Sequence, residues 1–495
     1  MRVRGAWIAG ILWLAAAACP AQNLAEIEKK LTKFTLPNGL TAIVFERRQA
    51  PVVSCVTCAN VGSVDEVKGI TGIAHIFEHM AFKGTSRIGT TDHAAEAAAL
   101  ARADKAFLAL KEERRKGPRA DAARIAALQE EFRAAQEEAE NYIVPDEFDK
   151  AIEAGGSPDL NAFTSEDATC YLCSLPANKL ELWMALESER FRDPVLREFY
   201  KERDVITEER RLGENDPQQR LFEDFQSTAF KAHPYGEPVI GHMSDVRTIT
   251  RQEAERWFAT YYRASNLTVA LVGDVDPAAA RVLVETYFGR LPRGEKPEPV
   301  ETVEPPQDGE RRCTIEAPAE PLLLVGYHRP AVQDPESPAL DVLADILGEG
   351  RTSRLYRALV KEQKLAADAG AWAYGVGGKY PSLLVVSVVP AQGRTTAENE
   401  QALYAEIDRL AKEPPAPEEL EKAKANVRAV LLRRLRSNMG LAIGLALQEA
   451  ATGNWRDIFT RAEKIEKVTA EEVRKAAATY LTARNRTVGT LQREP

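Results

Sequence analysis

Residues 33–66, KFTLPNGLTAIVFERRQAPVVSCVTCANVGSVDE, and residues 69–84, GITGIAHIFEHMAFKG, stand almost side by side and decide the fold class. The first segment predicts strand, turn, strand, loop and strand, because short apolar runs alternate with a Pro-Asn-Gly turn and a polar loop. The second segment predicts a helix that carries polar residues inside an apolar run. We therefore expect an α+β fold in which a mixed β-sheet packs against helices.

Residues 91–142 form two stretches rich in Ala, Glu and Arg, separated by Gly117-Pro118. Because Gly-Pro breaks helices, this segment predicts an antiparallel helical hairpin. Its charge pattern is typical of a solvated helix pair. The hairpin is interpreted as a surface insertion or, alternatively, as an arm that binds a partner.

The chain shows the pattern of a duplicated domain. The segment 160–176 predicts one more strand, two helices and a helix–strand pair follow it, and strands and helices recur in similar order after residue 310. Residues 291–310 are rich in Pro and charge and predict a linker. We expect an N-terminal domain at 30–290 and a homologous C-terminal domain at 311–495.

The overall charge and the N-terminus restrict the classes of function. With 65 Lys+Arg against 74 Asp+Glu, the net charge is -9, which disfavours binding to nucleic acid. Residues 1–21 resemble a secretory signal peptide, with a basic start, an apolar stretch and small residues before the cleavage site. We expect export to a bacterial periplasm and no membrane span in the mature chain. Lipid anchoring at Cys19 is a weaker alternative.

Two C-x-x-C pairs, Cys55/Cys58 and Cys170/Cys173, raise the question of a zinc ribbon. Both lie in segments that predict strands, where side chains three residues apart point to opposite faces. We therefore expect buried thiols or a bridge between the two strands, which export permits.

The sequence H75-I-F-E-H79 is the strongest chemical signal. Residues four apart lie on one face of a helix, and two imidazoles one turn apart are a natural pair of zinc ligands. Glu78 lies beside them, where a carboxylate can take a proton from a water activated by the metal. Two packed histidines with a salt-bridging Glu are the structural alternative. Burying such a set among apolar neighbours is costly unless it binds something.

A catalytic zinc needs a third protein ligand and an open position. The helical acids Glu202, Glu208, Glu209 and Glu214 are all candidates. Spacing puts Glu202 and Glu209 on one helix face and turns Glu208 away by about 100°. It does not choose among them.

Five segments, in this order, resemble the pitrilysin/insulinase family of zinc metallopeptidases: HIFEHMAFKGT, LNAFTSEDATCY, KERDVITEERR, HPYGEPVIGHMSDV and LTVALVGDVDP. H-x-x-E-H is the signature of the inverzincins. The resemblance, strongest to the bacterial processing-peptidase-like branch, implies one zinc ion per chain held by His75, His79 and Glu209. It also implies that Glu202 orients a ligand and that Asn161 and Ala162 bind an extended peptide by strand addition. By the same resemblance, 30–290 is the catalytic domain, 311–495 is a peptidase-like domain, and the two form a clam-like chamber.

Two departures from the family matter. The hairpin 91–142 lengthens the chain between the metal motif, which ends at His79, and the strand that begins near Asn161. The second half has Val360 and Ala367 where complete members have an Arg and a Tyr that bind the substrate carbonyl. Neither side chain donates a hydrogen bond, and one oxyanion donor is worth about 10²–10³ in rate. We therefore expect a heterodimer whose paralogous subunit supplies the Arg/Tyr pair. Arg354 and Tyr356 are nearby but wrongly spaced to replace it.

The resulting prediction is an exported zinc metalloendopeptidase that uses Glu78 to activate water and cleaves peptides or unfolded segments. The alternative is a non-catalytic assembly or binding subunit of the same fold, which the missing Arg/Tyr pair favours. A purely structural zinc site is a third interpretation, against which Glu78 argues.

Overall fold

The computed structural model describes residues 24–493. The predicted signal peptide and Cys19 lie outside these residues, so export and lipidation stay predictions. Within residues 24–493, no helix combines the length and the apolar character needed to cross a membrane.

The first half is built on a six-stranded mixed sheet in the order β1-β2-β6-β3-β5-β4. Only β2 and β6 run parallel; the other neighbours are antiparallel. Every residue of β6 (LTVALVG) is buried, which explains why an unbroken apolar run occupies the middle of the sheet. The strands are β1 Leu31–Thr35, β2 Thr41–Glu46, β3 Val52–Ala59, β4 Asn161–Thr164, β5 Thr169–Pro176 and β6 Leu267–Gly273.

Eleven helices belong to the first half of the described chain. They are α1 Leu24–Glu28, α2 Ile73–Met80, α3 His93–Arg115, α4 Ala122–Glu140, α5 Glu147–Ala154, α6 Leu180–Arg192, α7 Phe199–Asn215, α8 Pro217–Ala229, α9 Met243–Val246, α10 Arg251–Tyr261 and α11 Pro277–Tyr287. No helix or strand other than a 3₁₀ turn that ends at Arg290 interrupts 288–310, the stretch that contains the predicted linker.

The second half contains a five-stranded sheet in the order β7-β11-β8-β10-β9. Its strands are β7 Arg311–Ala317, β8 Leu322–Arg329, β9 Ala366–Trp372, β10 Ser382–Pro390 and β11 Arg486–Arg493. Its helices are α12 Ser337–Gly348, α13 Thr396–Lys412, α14 Pro417–Arg434, α15 Asn438–Thr452, α16 Asp457–Glu466 and α17 Ala470–Tyr480, with a π-helical segment at Tyr356–Glu362.

The second sheet repeats the topology of the first without β1. A parallel pair, β7 and β11, corresponds to β2 and β6, and three antiparallel neighbours follow in each sheet. The chain thus consists of two homologous α+β halves, as the sequence predicts. The exact domain boundaries and the chamber between the halves stay predictions.

Each sheet is completed by a helix from the other half. Helix α15 covers β3, β5 and β6 of the first sheet, where Leu441 and Leu445 pack with Val56. Helix α8 covers β7 and β11 of the second sheet, where Phe225 packs with Leu491. Both faces of each sheet are apolar, so both need a cover, and the exchange ties the two halves together.

A second link between the halves joins a turn of the second half to the β4–β5 hairpin. Asp167, in that hairpin, accepts hydrogen bonds from the amides of Gly378 (2.8 Å) and Lys379 (3.0 Å) and from the Tyr235 hydroxyl (2.5 Å). Tyr235 is fully buried. Its ring lies so close to Gly377 that an added Cβ would stand 2.3 Å from it. We call these residues the Asp167 clamp.

Three local expectations need correction or refinement. The segment 160–176 is not one strand but two, β4 and β5, because the polar turn Ser165–Ala168 reverses the chain. The helix predicted over 69–84 is confined to α2. The hairpin α3–α4 is present, but it is not simply a solvated pair, because one face of α3 is buried.

A buried ion pair shows how firmly α3 is held. Glu96 bonds Arg197 at 2.7 Å, with side chains 0% and 1% exposed. Asp104 also accepts from the Tyr200 hydroxyl at 2.8 Å. Helix α3 is therefore part of the first half's packing rather than an appendage.

The cysteines follow both of the alternatives that the sequence leaves open. Cys58 and Cys170 lie directly opposite each other on β3 and β5, 4.1 Å apart at Cα, and form a disulfide. Cys55 and Cys173, three residues along, also face each other but are free and buried. Opposed pairs alternate between closer and wider spacing along an antiparallel ladder, so an offset of three places the two cysteine pairs in different classes.

Candidate metal centre

Helix α2 is held from its N-terminus by a buried acid. Glu66 accepts hydrogen bonds from the amides of Gly72 and Ala74, each at 2.8 Å. These are donors that a helix start leaves without an intrahelical partner. Gly72 has φ +90° and lies against Ile240, so only glycine enters the helix at this point without strain.

The sequence of α2 divides the helix into two faces. Ile73, Ile76, Phe77 and Met80 are fully buried in the core of the first half. His75, Glu78 and His79 occupy the other, half-buried face. The polar residues inside the apolar run therefore all point to one place, beside α7 and β4.

The structure brings His75, His79 and Glu209 together. One ligand atom from each lies within 4.8 Å of the other two. Nε2 of His75 is 3.9 Å from Oε2 of Glu209, and the two imidazole rings are 5.0 Å apart at their centroids. Ligand atoms of a tetrahedral zinc are about 3.3 Å apart, given bonds of about 2.0–2.1 Å, so small side-chain movements would complete such a set. The donor types and their spacing fit zinc.

The charge state of His75 also fits a ligand. Burial, and after it the neighbouring His79, lowers the pKa of His75 to about 4. Its imidazole is therefore neutral at neutral pH and keeps a lone pair for a metal. Nδ1 of His75 is buried and has no hydrogen-bond partner among the described residues.

Glu202 lies behind His79 rather than beside the other ligands. Its Oε2 is 3.4 Å from Nδ1 of His79, and its Oε1 is 2.5 Å from Nζ of Lys83. The hydrogen bond to His79 is the first cause that lowers the pKa of Glu202 to about 2. The same contact raises the pKa of His79. A carboxylate in this place orients the imidazole and increases its basicity.

The tertiary structure distinguishes the four helical acids that spacing leaves equivalent. Glu208 is exposed and pairs with Arg211, and Glu214 lies 3.5 Å from Arg210. Among the described residues only Glu209 groups with both histidines. Its role as a metal ligand stays a prediction, which the geometry favours.

Glu78 lines the same cavity as His75 and Glu209, a space of about 680 Å³. Its Oε2 accepts a hydrogen bond from the Thr164 hydroxyl at 2.6 Å. Burial raises the pKa of Glu78, and the bond from Thr164 opposes that rise. A carboxylate with a raised pKa beside a metal site suits the transfer of a proton.

Asn161 and Ala162 lie on β4, which pairs only with β5 and forms an edge of the sheet. The amide of Ala162 donates to Oδ1 of its neighbour Asn161 at 2.8 Å. Ser165 and Ala168 form a hydrogen-bonded pair, so the alternation along the antiparallel ladder turns the Ala162 amide away from β5. It therefore faces the free edge, and Ala162 lines the cavity. An extended peptide could pair there with backbone groups that the sheet leaves open.

In the structure, as in the sequence, Val360 and Ala367 offer no side-chain donor to a substrate carbonyl. Val360 packs against the core of the second half, and Ala367 is exposed on the edge strand β9. Arg354 makes a two-pronged ion pair with Glu419, at 2.8 and 2.7 Å. It is thus engaged and does not replace the missing Arg.

Family models match most of the chain. The model of the insulinase family, peptidase family M16, matches residues 42–112 and 133–242, and the model described as the peptidase M16 inactive domain matches 248–427. The chain belongs to peptidase family M16. The predicted family is thereby confirmed. The unmatched residues of the first M16 region, 113–132, form the tip of the hairpin α3–α4.

Several relatives of this M16 chain are named zinc proteases. The zinc protease PqqE of Helicobacter pylori is 28% identical over 416 residues, which is 82% of this chain and 81% of the relative. A protein described as an uncharacterized zinc protease of Mycobacterium leprae is 26% identical over 491 residues, 94% of this chain and 92% of the relative.

Solved structures share the fold. A protease from Helicobacter pylori has a TM-score of 0.78 and 25% identity, and the match covers 94% of this chain and 99% of that one. The periplasmic protease PqqL from Escherichia coli has a TM-score of 0.69 and 20% identity, over 94% of this chain and 48% of that one. The α+β fold with two homologous halves is thus the M16 fold.

Sequence reasoning missed several residues of the site. Thr164, Lys83, Glu66 and the Asp167 clamp all contact the predicted site residues or the elements that carry them. Thr164 and Lys83 lie within quoted motifs, NAFTS and HMAFKGT, so their position was a signal. Asp167 also lies within a quoted motif, LNAFTSEDATCY, but nothing in the motif indicates its partners in the second half. Glu66 gave no signal, because its partners are backbone amides.

Proposed function

We propose that this chain is an exported, zinc-dependent endopeptidase that hydrolyses peptides or unfolded segments. One observation carries the proposal: His75, His79 and Glu209 converge in a cavity that Glu78 also lines. The relatives named zinc proteases support it.

Zinc held by His75, His79 and Glu209 would supply a water of lowered pKa and would polarise a peptide carbonyl. Glu202, anchored by Lys83, keeps the imidazole of His79 in place. Glu78 takes the proton of the attacking water and passes it to the leaving amine. The second half has a single histidine, His328, and therefore lacks a second set of this kind.

The free edge of β4 suggests how a substrate is held. A peptide that pairs with Ala162 would lie along the cavity in an extended conformation, with its backbone presented to Glu78. Most backbone groups of a folded protein are already paired within its own structure, which is why peptides and unfolded segments are the proposed substrates.

A heterodimer is part of the proposal. Val360 and Ala367 cannot bind the substrate carbonyl, and Arg354 is occupied by Glu419. A paralogous subunit with an Arg/Tyr pair would complete the site. The same observation favours the second candidate, a non-catalytic assembly or binding subunit.

The disulfide between Cys58 and Cys170 supports export, because such bonds persist in oxidising compartments and are rare in the cytosol. The signal-like residues 1–21 support it independently. Lipidation at Cys19 remains the weaker alternative to a cleaved, unanchored chain.

The test is to measure bound metal and peptide cleavage for the purified chain, alone and with a paralogous subunit. We expect one zinc per chain, weak cleavage alone and strong cleavage with the partner. Glu78→Gln should abolish cleavage and keep the zinc, whereas Glu209→Gln should lose it. Zinc without cleavage in either preparation would favour a purely structural zinc site, and absence of zinc would refute the peptidase and favour the non-catalytic subunit.

A further inference from the structure

The carboxylate of Glu78 accepts a hydrogen bond from a side chain of the edge strand β4. Oγ1 of Thr164 donates to Oε2 of Glu78 at 2.6 Å, the short distance typical of a hydroxyl bonded to a charged carboxylate. Thr164 is the last residue of β4, so the contact crosses from the strand that faces the cavity to the helix that carries the two histidines.

The Thr164 hydroxyl has two oxygen neighbours that could accept its proton, the Glu78 carboxylate and the Thr169 hydroxyl. Thr169, opposite Thr164 in the ladder, is fully buried and donates its own proton to the carbonyl of Val61 at 3.0 Å. The two threonine oxygens are 3.4 Å apart. The Glu78 carboxylate accepts at 2.6 Å, well inside the range of an O–H···O bond, whereas the Thr169 oxygen lies outside it, so the single proton of Thr164 goes to Glu78.

We propose that Thr164 is a positioning residue for the general base, an inference that rests on the proposed function. By holding Oε2, it leaves Oε1 of Glu78 as the oxygen that faces the attacking water. A glutamate has three rotatable side-chain bonds, whereas a β-branched threonine on a strand is stiff at χ1. The hydrogen bond therefore restricts the flexible side chain of Glu78 by linking it to a rigid residue of the strand.

The proton balance of the reaction assigns different tasks to the two oxygens. One proton of water moves to Oε1 of Glu78 as the water oxygen bonds to the carbonyl carbon. The same proton then moves from Oε1 to the amide nitrogen as the C–N bond breaks. Thr164 keeps its own proton throughout. Because a peptide pairs with β4, binding of substrate also steadies the strand that aims the base.

The decisive variant is Thr164→Val, which keeps the branched shape and removes the hydroxyl. We expect kcat to fall by about 10–100-fold, as for a misplaced catalytic group, with KM unchanged within about twofold. Thr164→Ser restores the donor and should recover most of kcat. Zinc content should be equal in all three proteins. Thr35→Val, an exposed threonine on β1, is the matched control and should leave kcat and KM unchanged.

A crystal structure of zinc-loaded Thr164→Val supplies a readout that does not need activity. The inference predicts a displaced or mobile Glu78 carboxylate. A Glu78 that stays in place, a kcat equal to that of the unsubstituted chain, or equal losses in the Val and Ser variants would each overturn it. An unsubstituted chain that never cleaves peptide would instead defeat the proposed function, while the position of Glu78 would still decide the inference.

Discussion

Replacement of Glu202 by Gln tests whether this acid supports the metal centre without binding the metal. The change keeps the size of the side chain and removes its charge. In the structure Glu202 serves two partners, His79 through one oxygen and Lys83 through the other. A Gln has a single acceptor oxygen, so it keeps one partner at most.

The pKa of Glu202 sets the size of the effect. This pKa falls from 4.5 to about 2, and the hydrogen bond from His79 is the largest cause. Burial opposes the fall, and the hydrogen bond from Lys83 adds to it. At about 1.4 kcal/mol per pKa unit this represents roughly 3 kcal/mol of interaction, shared between the two partners. Its side chain is only 17% exposed, so solvent screens little of it. A share of about half for His79 predicts zinc binding roughly 10–30-fold weaker, within the usual range for a residue behind a metal ligand.

The assay is competition for zinc with a chelator at pH 8. Glu208→Gln is the matched control, because Glu208 lies on the same helix but is exposed and paired with Arg211. Because Glu202 raises the pKa of His79, protons compete with zinc for this imidazole at a higher pH in the unsubstituted chain than in Glu202→Gln. The difference in zinc affinity between the two proteins should therefore narrow as pH falls. Unchanged affinity in Glu202→Gln, or the same loss in Glu208→Gln, would refute the assigned role.

Three further predictions concern stability. The Cys58–Cys170 disulfide closes a loop of 112 residues, and its reduction should lower the free energy of unfolding by about 2–4 kcal/mol. Denaturant titration with and without reductant measures this difference. The stability of Cys58→Ser should not depend on reductant. Gly377→Ala should destabilise the chain by about 1–3 kcal/mol, because the added Cβ would clash with the Tyr235 ring. In the control Gly378→Ala the nearest atom is 3.6 Å from the added Cβ, so stability should change little. Equal melting temperatures for the two variants would contradict the Asp167 clamp. Burial raises the pKa of Asp345 from 3.8 to about 7, so the folded state holds a proton that the unfolded state has lost between these values, and the free energy of unfolding should fall as pH rises through this window. Asp345→Asn should flatten that dependence, and an unchanged slope would show that Asp345 titrates normally.

Local sequence determined the helix that carries the site and the class of the fold. Spacing of four between His75 and His79 places them on one helix face whatever surrounds the helix, because the helical repeat is a local property. The apolar runs that predict β2, β3 and β6 are likewise local, and all three are strands. The recognition of the family added Glu209 and Glu202, which spacing alone left level with Glu208 and Glu214.

The tertiary structure decided what depends on residues far apart in the chain. The contact of α2 with α7 places Glu209 beside the histidines and Glu202 behind one of them, an arrangement that spacing alone does not show. Only the alignment of β3 with β5 decides that Cys58 and Cys170 bond while Cys55 and Cys173 stay free. The helices α8 and α15 give no sign in sequence that each covers the sheet of the other half, because an amphipathic pattern says that a face is buried but not against what.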